Sequence, residues 1–199
     1  MSAARSLLEN SRMNVTEAIL ARRAVRAYAP RKVDDATLRS LLRAAVQAPS
    51  AMNRQPWLFS IVQDAARLRR YSDRAKAMLL VAMASDAKAA HYRDLLASPG
   101  FDIFYDATTL VVIGPGERGA YTDADCWLAA ENLMLAACEA GLGSCCIGFA
   151  IPVLNTPEVK AELGLPASGV AVAPLILGYP AAAPPPVERA EPKIVSWSR

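Results

Sequence analysis

The sequence predicts a protein of mixed helices and strands, with four short strands set among six helices. Three features carry that expectation. Apolar runs at 57–62, 108–113, 143–149 and 170–179 have the length and composition of strands. Between them lie alanine- and leucine-rich stretches with apolar residues at helical spacing, most plainly Leu38, Leu41, Leu42, Ala45 and Val46. Helix start and stop residues punctuate both kinds of segment.

Asn14 followed by Glu17 has the spacing of a capping box and opens a helix through about Ala21; Ala29-Pro30 closes that region. Asp34 or Asp35 caps a second helix. Gln47-Ala48-Pro49 stops it, because a residue before proline is pushed out of the helical region. A strand follows at 57–62. Residues 64–84 read as helix with a break near Ser72-Asp73, and 87–97 as another helix that stops at Ser98-Pro99-Gly100. The strand at 108–113 has no polar alternation, the pattern of a strand covered on both faces.

The helix at 123–140 carries Trp127, Leu128, Leu133, Met134, Leu135 and Cys138 almost all the way round. A helix without a wet face is buried in a core or in a subunit interface. Gly141 reads as its C-cap. A third strand at 143–149, a short helix at 156–163 with Thr156 as cap and Pro157 in first position, and a fourth strand at 170–179 complete the series. Residues 1–12 read as a weakly ordered lead, with Met13 as an alternative start. Residues 13–180 form one domain and 181–199 an extended arm, since Pro184-Pro185-Pro186 imposes a polyproline path. Ile194, Val195 and Trp197 on that arm favour packing on another surface, such as a partner subunit.

The chain of 199 residues is 53% hydrophobic, enough for a substantial core. Its net charge of +3 comes without blocks of like charge, so no nucleic-acid partner is expected. The longest apolar run, at 77–84, falls far short of the roughly 20 residues that span a bilayer. The first turn also lacks an apolar leader, and a cytoplasmic setting without a membrane partner is expected. Cys126, Cys138, Cys145 and Cys146 have no metal-ligand spacing and only His91 to join them. They read as buried reduced thiols, with no metal site.

Two segments stand out. Arg22-Arg23-Ala24-Val25-Arg26-Ala27-Tyr28 places three arginines at the end of a helical pattern. Arg22 and Arg26, four apart, share a face if the turn continues. Converging guanidiniums suit an anion such as a phosphate; alone, they read more readily as a solvated basic face. Ala48-Pro49-Ser50 through Asn53-Arg54-Gln55-Pro56-Trp57 offers amide and hydroxyl groups suited to the rim of a flat heteroaromatic ring, or an ordinary turn. Gly141 to Gly148 allows close backbone approach to a planar ligand. Gly114-Pro115-Gly116-Glu117-Arg118-Gly119 matches a dinucleotide fingerprint only literally. Pro115 removes a cradle N–H, and Tyr121-Thr122-Asp123 separate the last glycine from the helix.

Taken together, in this order and spacing, these pieces and the closing Arg189-Ala190-Glu191-Pro192 resemble the FMN-dependent nitroreductase superfamily over nearly the whole chain. The resemblance implies an α+β fold with a central mixed, mostly antiparallel sheet flanked by helices. It also implies an intertwined homodimer with FMN at the interface. Arg22 and Arg189 would bind the FMN phosphate, with Arg23 and Ala24 lining the same region. Arg26 would lie beside the N1/O2 side of the ring. Pro49, Ser50 and Asn53 would come from the other subunit, and Cys146, Ile147 and Gly148 would run along the ring.

No catalytic side chain is then needed. The implied activity is an NAD(P)H oxidoreductase that passes hydride by ping-pong logic to nitroaromatics, quinones or similar flat electron-poor acceptors. Two alternatives stand beside it: another FMN reaction of the dehydrogenase, dehalogenase or flavin-fragmenting type, and a non-catalytic dimeric binding protein. The region 71–104 would act as a lid, with Tyr92, Phe101, Phe104 and nearby Tyr105 either contacting substrate or filling the core. The family often has Ser where this chain has Ala24, so one hydroxyl contact is missing.

Overall fold

The structure, a computed structural model, describes residues 13–199. The expected lead at 1–12 lies outside the described residues. The elements run α1 (Val15–Ala21), α2 (Asp35–Ala45), β1 (Trp57–Val62), α3 (Ala65–Ala82), α4 (Ala90–Ala97), β2 (Thr109–Pro115), α5 (Thr122–Glu139), β3 (Gly143–Cys146), α6 (Ile151–Leu154), α7 (Pro157–Glu162) and β4 (Ala173–Gly178). Single 3-10 turns precede β1, α4 and α6.

The four strands form one sheet in the order β1-β2-β4-β3, every neighbouring pair antiparallel. The expected parallel component is reduced to one bridge, Ala24 with Ser144, at the β3 edge. Helices cover both faces. Leu110 and Val112 of β2 join Ile176 of β4 in a core with α3, α6 and α7. Val111 and Ile113 join Leu175 and Leu177 against α2 and α5. All seven residues of β2 are therefore buried, which is why its sequence lacks polar alternation.

Local chemistry explains most element boundaries. The Asn14–Glu17 capping box forms with both reciprocal bonds. Asp34 and Asp64 each accept an N–H three residues on, at the starts of α2 and α3. Gly141 sits at φ +72, with Gly141 N–H on Cys138 O and Leu142 N–H on Ala137 O, closing α5 as a Schellman motif.

Several expectations fail for identifiable reasons. α3 runs unbroken through Ser72, because that hydroxyl points into the core and accepts the Ile103 N–H at 3.1 Å. The strand expected at 143–149 ends at Cys146, where the chain turns through 3-10 geometry into the unforeseen α6. Thr156 precedes α7 but makes no cap bond, its hydroxyl donating instead to Val153 O at 3.0 Å. The helix expected at 87–97 begins as a 3-10 turn. The glycine-rich string spans the end of β2 and a turn, and α5 starts three residues after it. Gly114 is required there: a Cβ would lie 1.7 Å from Val170 O.

Residues 181–199 carry no helix or strand and are exposed throughout, with Ile194 and Trp197 63% and 71% exposed. Trp127 and Leu128 of α5 and Val15, Ile19 and Leu20 of α1 are also exposed. The apolar girth of α5 is thus covered by the core of this chain on one side only. No described helix is long and apolar enough to cross a membrane.

Candidate functional site

The arginine segment is not helical. α1 ends at Ala21, and Arg22 leaves it with φ −55 and ψ 131. The chain then lies along the β3 edge. Val25 N–H donates to Ser144 O at 3.0 Å, Ala29 N–H to Tyr179 O at 2.8 Å and Ala181 N–H to Ala27 O at 3.0 Å. Two glycines serve as sockets. A Cβ on Gly143 would stand 2.7 Å from Val25, and one on Gly178 2.8 Å from the Tyr28 ring. The Tyr28 hydroxyl, its pKa raised by burial, closes the segment by donating to Val25 O at 2.7 Å. The helical turn that would put Arg22 and Arg26 on one face does not continue: Val25 is turned inward, and the two arginines border different pockets.

The three guanidiniums differ. Arg22 Nε lies 3.6 Å from Glu131 Oε1, whose side chain is half exposed. Such a pair contributes under about 1 kcal/mol, less than the roughly 1.5–3 kcal/mol of a hydrogen bond to a charged group, so Arg22 remains open to a stronger anion. Arg23 folds back, Nη1 donating to Leu20 O at 2.6 Å and to Arg22 O at 2.8 Å. Its Nε is buried without a partner among the described residues. Arg22 and Arg23 border a cleft of about 170 Å³ with Gly141, Gly143, Ser144 and Pro184. An orphaned donor and a weakly paired cation beside backbone make this cleft suited to an oxyanion.

Arg26 faces a larger cavity of about 510 Å³, shared with Cys146, Ile147, Gly148, Tyr105 and Phe149. The end of β3 at Cys146 creates it, because the chain turns away there while Ile147 N–H still reaches Pro174 O at 2.9 Å. The Arg26 guanidinium stands 5.8 Å from the centroid of the Tyr105 ring, within cation–π range. Tyr105 and Asp106 both take left-handed φ of 54, secured by Asp102, whose carboxyl oxygens accept the N–H groups of Phe104 and Asp106. The aromatic residues between 92 and 105 therefore divide. Tyr92 and Tyr105 line the cavity, Phe104 is fully buried in the core, and Phe101 packs edge-on to Tyr105.

The second segment forms a separate tight turn. Met52, Asn53 and Gln55 all have positive φ, near +50. Gln55 N–H donates to Ser50 Oγ at 2.9 Å, and Gln55 Nε2 to Asn53 Oδ1 at 3.0 Å. Pro49 and Asn53 are exposed and Ser50 half-buried. None of the three lines either cavity, so one chain does not bring them to the arginine segment. Arg189 lies in the exposed arm and makes no hydrogen bond or ion pair among the described residues. One chain thus gathers Arg26, Cys146, Ile147 and Gly148 at one cavity and Arg22 and Arg23 at a second cleft, while Ala24 lines neither.

Desolvation raises the pKa of each thiol. All four cysteines are free. Cys126 and Cys145 are buried, but Cys146 is exposed, against the expectation that all are buried. Its Sγ nevertheless lies beside Met134 Sδ at 3.8 Å, and desolvation pushes the thiol up to about 11. Burial pushes Cys126 up to about 12. Protonated thiols of this kind line a site without doing chemistry at neutral pH.

Two contributors escaped sequence reasoning. Phe149 is hidden because it follows the end of the strand. Asp125 is buried at 4% exposure, and its Oδ1 accepts the Ala51 N–H at 3.0 Å across 74 residues. A signal existed: Asp125 falls on the stripe 125–129–133, otherwise apolar, that faces the core.

Comparison with known proteins decides the lineage. Residues 19–179 match the nitroreductase family. The chain belongs to the nitroreductase family. Among its relatives, an NADH dehydrogenase of Thermus thermophilus is 31% identical, covering 85% of this chain and 88% of the relative. A 5,6-dimethylbenzimidazole synthase of Rhodospirillum rubrum is 33% identical, covering 80% and 78%. The crystal structure of a nitroreductase from Bacteroides fragilis with bound FMN superposes with a TM-score of 0.77 at 29% identity, covering 93% of this chain and 97% of that one. The nitroreductase-family fold therefore extends over nearly the whole length.

Proposed function

We propose that this chain is an FMN-dependent NAD(P)H oxidoreductase that reduces flat, electron-poor acceptors such as nitroaromatics or quinones. The observation that carries the reading is the cavity of about 510 Å³ between Arg26 and the Cys146–Gly148 turn, with a second cleft of about 170 Å³ at Arg22 and Arg23. The donor set fits the cofactor. The orphaned Arg23 Nε and the weakly paired Arg22 suit a terminal phosphate, and Arg26 suits the electron-rich edge of the ring system.

In this reading Arg22 and Arg189 hold the phosphate, with Arg23 and Ala24 beside it, and Cys146, Ile147 and Gly148 border the ring. Pro49, Ser50 and Asn53 reach it from a second copy of the chain. The exposed Trp127 and Leu128, together with the apolar arm bearing Ile194 and Trp197, support a homodimer that covers those surfaces. The cofactor, when bound, takes two electrons and a proton from a reduced nicotinamide and returns them to the acceptor. The protein's share is placement and electrostatics: Arg26 stabilises negative charge on the ring, and Tyr92, Tyr105 and Phe149 wall out water.

The test is spectroscopic. The purified protein is expected to carry, or to take up, FMN with its yellow absorbance, and NADH or NADPH added anaerobically is expected to bleach it. A colourless protein that binds no added FMN overturns the reading. The identity to the R. rubrum synthase favours a second one, in which the same cofactor serves another reaction. Bound FMN that neither nicotinamide reduces selects that alternative.

A further inference from the structure

The turn at 49–55 is held by little of its own. Its residues Met52, Asn53 and Gln55 occupy left-handed backbone, a region that Met and Gln rarely adopt and Asn tolerates. Within the turn, Ser50 Oγ and Asn53 Oδ1 each accept one bond from Gln55. Asn53 N–H and Arg54 N–H turn back onto Ser50 O and Ala51 O. All of these contacts are local and would travel with the turn if it moved. Among the described residues, the side-chain bond that ties it to the rest of the protein is the one from Ala51 N–H to Asp125 Oδ1 at 3.0 Å.

Asp125 is unusual in its surroundings. It sits in the first turn of α5, buried at 4% exposure, with Cys126, Ala129 and Ala130 of the same helix fully buried around it. A carboxyl group at such a position is costly unless it is partnered. The helix N-terminus favours it electrostatically, and the Ala51 N–H supplies the partner. It also borders a pocket of about 240 Å³ with Met52, Arg54 and Tyr121, so that the turn is not packed tightly against α5 by bulk alone. A hydrogen bond between a rigid, buried helix and a strained turn fixes the turn's height above the sheet. Packing at the exposed Met52, 88% exposed, does not.

We propose that Asp125 is a positioning residue of the cofactor site: through Ala51 it sets the turn that carries Pro49, Ser50 and Asn53 in the conformation that meets FMN. The inference rests on the cofactor reading above and adds to it a residue that touches neither cofactor nor substrate. What matters is an oxygen at Oδ1 able to accept the Ala51 N–H, so an amide in place of the carboxyl group serves as well.

The experiment uses the full chain. FMN affinity is measured by quenching of flavin fluorescence for the wild-type protein, Asp125→Asn and Asp125→Ala, and amide hydrogen exchange is followed across 49–56. The wild-type measurement stands alone as the test of the cofactor reading: no binding there refutes that reading rather than this one. Given wild-type binding, Asp125→Asn is expected to bind FMN within about threefold of wild type and to keep the turn protected. Asp125→Ala, which leaves the Ala51 donor unpaired, is expected to bind about tenfold more weakly or worse, with faster exchange across the turn. Wild-type affinity in Asp125→Ala overturns the proposal. So does an Asp125→Asn protein as weak as the alanine variant, because the carboxylate charge rather than the hydrogen bond would then be at work. Should Asp125→Ala not fold, Asp125→Asn keeps the proposal open to refutation, because a loss of affinity or of protection across 49–56 in that variant overturns it.

Discussion

The arginine segment at 22–28 and the turn at 49–55 both announce themselves in the sequence, yet the protein holds them in opposite ways. The first is stitched to the sheet by its backbone: Val25 on Ser144, Ala29 on Tyr179 and Ala27 on Ala181, with Val25 and Tyr28 seated over glycines. Its arginine heads are left out of the structural scheme, apart from the fold-back of Arg23. The turn has no such ladder. It keeps strained residues in place with side chains, and one of those bonds comes from 74 residues away. A segment fixed by its backbone can lose its functional heads without losing its place. A segment fixed by side chains loses its place when one distant group is changed.

Substitutions can break that contrast. The largest effect is expected at the sockets. In Gly143→Ala the new methyl would stand 2.7 Å from the β-branched Val25, which has no flexible end to yield. A loss of roughly 1–3 kcal/mol in a denaturant midpoint is expected, with FMN binding falling alongside, since the arginine segment must lift. Unchanged stability there would mean that the segment is not fixed by this contact.

Arg22→Ala should do the converse. Its ion pair with Glu131 is weak, so stability should move by less than about 0.5 kcal/mol. FMN affinity should fall by about tenfold, the worth of one charge-assisted contact, and further when Arg189→Ala is added. A drop in melting temperature without a loss of affinity would reverse the roles assigned here.

Tyr105→Leu removes the ring that faces Arg26 at 5.8 Å. The expected cost is roughly 0.5–1 kcal/mol, seen in reduction of bound flavin by nicotinamide more than in folding. The smallest effect is expected at Met52, exposed and left-handed. There Met52→Gly relieves backbone strain while adding entropy to the unfolded chain, for a net gain of roughly 0.5 kcal/mol read from thermal melting. A loss of stability instead would show that the Met52 side chain anchors the turn.

Much of the scaffold was legible because its determinants are local. The Asn14–Glu17 box, the Asp34 cap and the Gly141 terminus each act over three or four residues and were found where the sequence placed them. The unbroken apolar strand β2 declared its two covered faces. The boundaries that slipped did so where tertiary partners intervened. Ser72 is satisfied by Ile103 from another element, and the strand after Gly143 gives way early to 3-10 geometry. The site was legible as residue types rather than as geometry. Arg22 and Arg26 were expected on one helical face, but the helix ends at Ala21 and they border different pockets.

What the sequence by itself determined is the four strands, the described helices other than α6, the caps at Asn14, Asp34 and Gly141, the clustering of cations at 22–26 and the apolar surplus on α5 and the arm. These follow from periodicity, backbone propensity and charge, which operate between near neighbours. What only the tertiary structure decided is that the arginine segment lies along β3, that Arg26 and the Cys146–Gly148 turn enclose one cavity, and that Asp125 holds Ala51. Each depends on groups brought together from distant stretches of chain. There a single hydrogen bond or a missing Cβ selects among backbone paths that local preferences leave open.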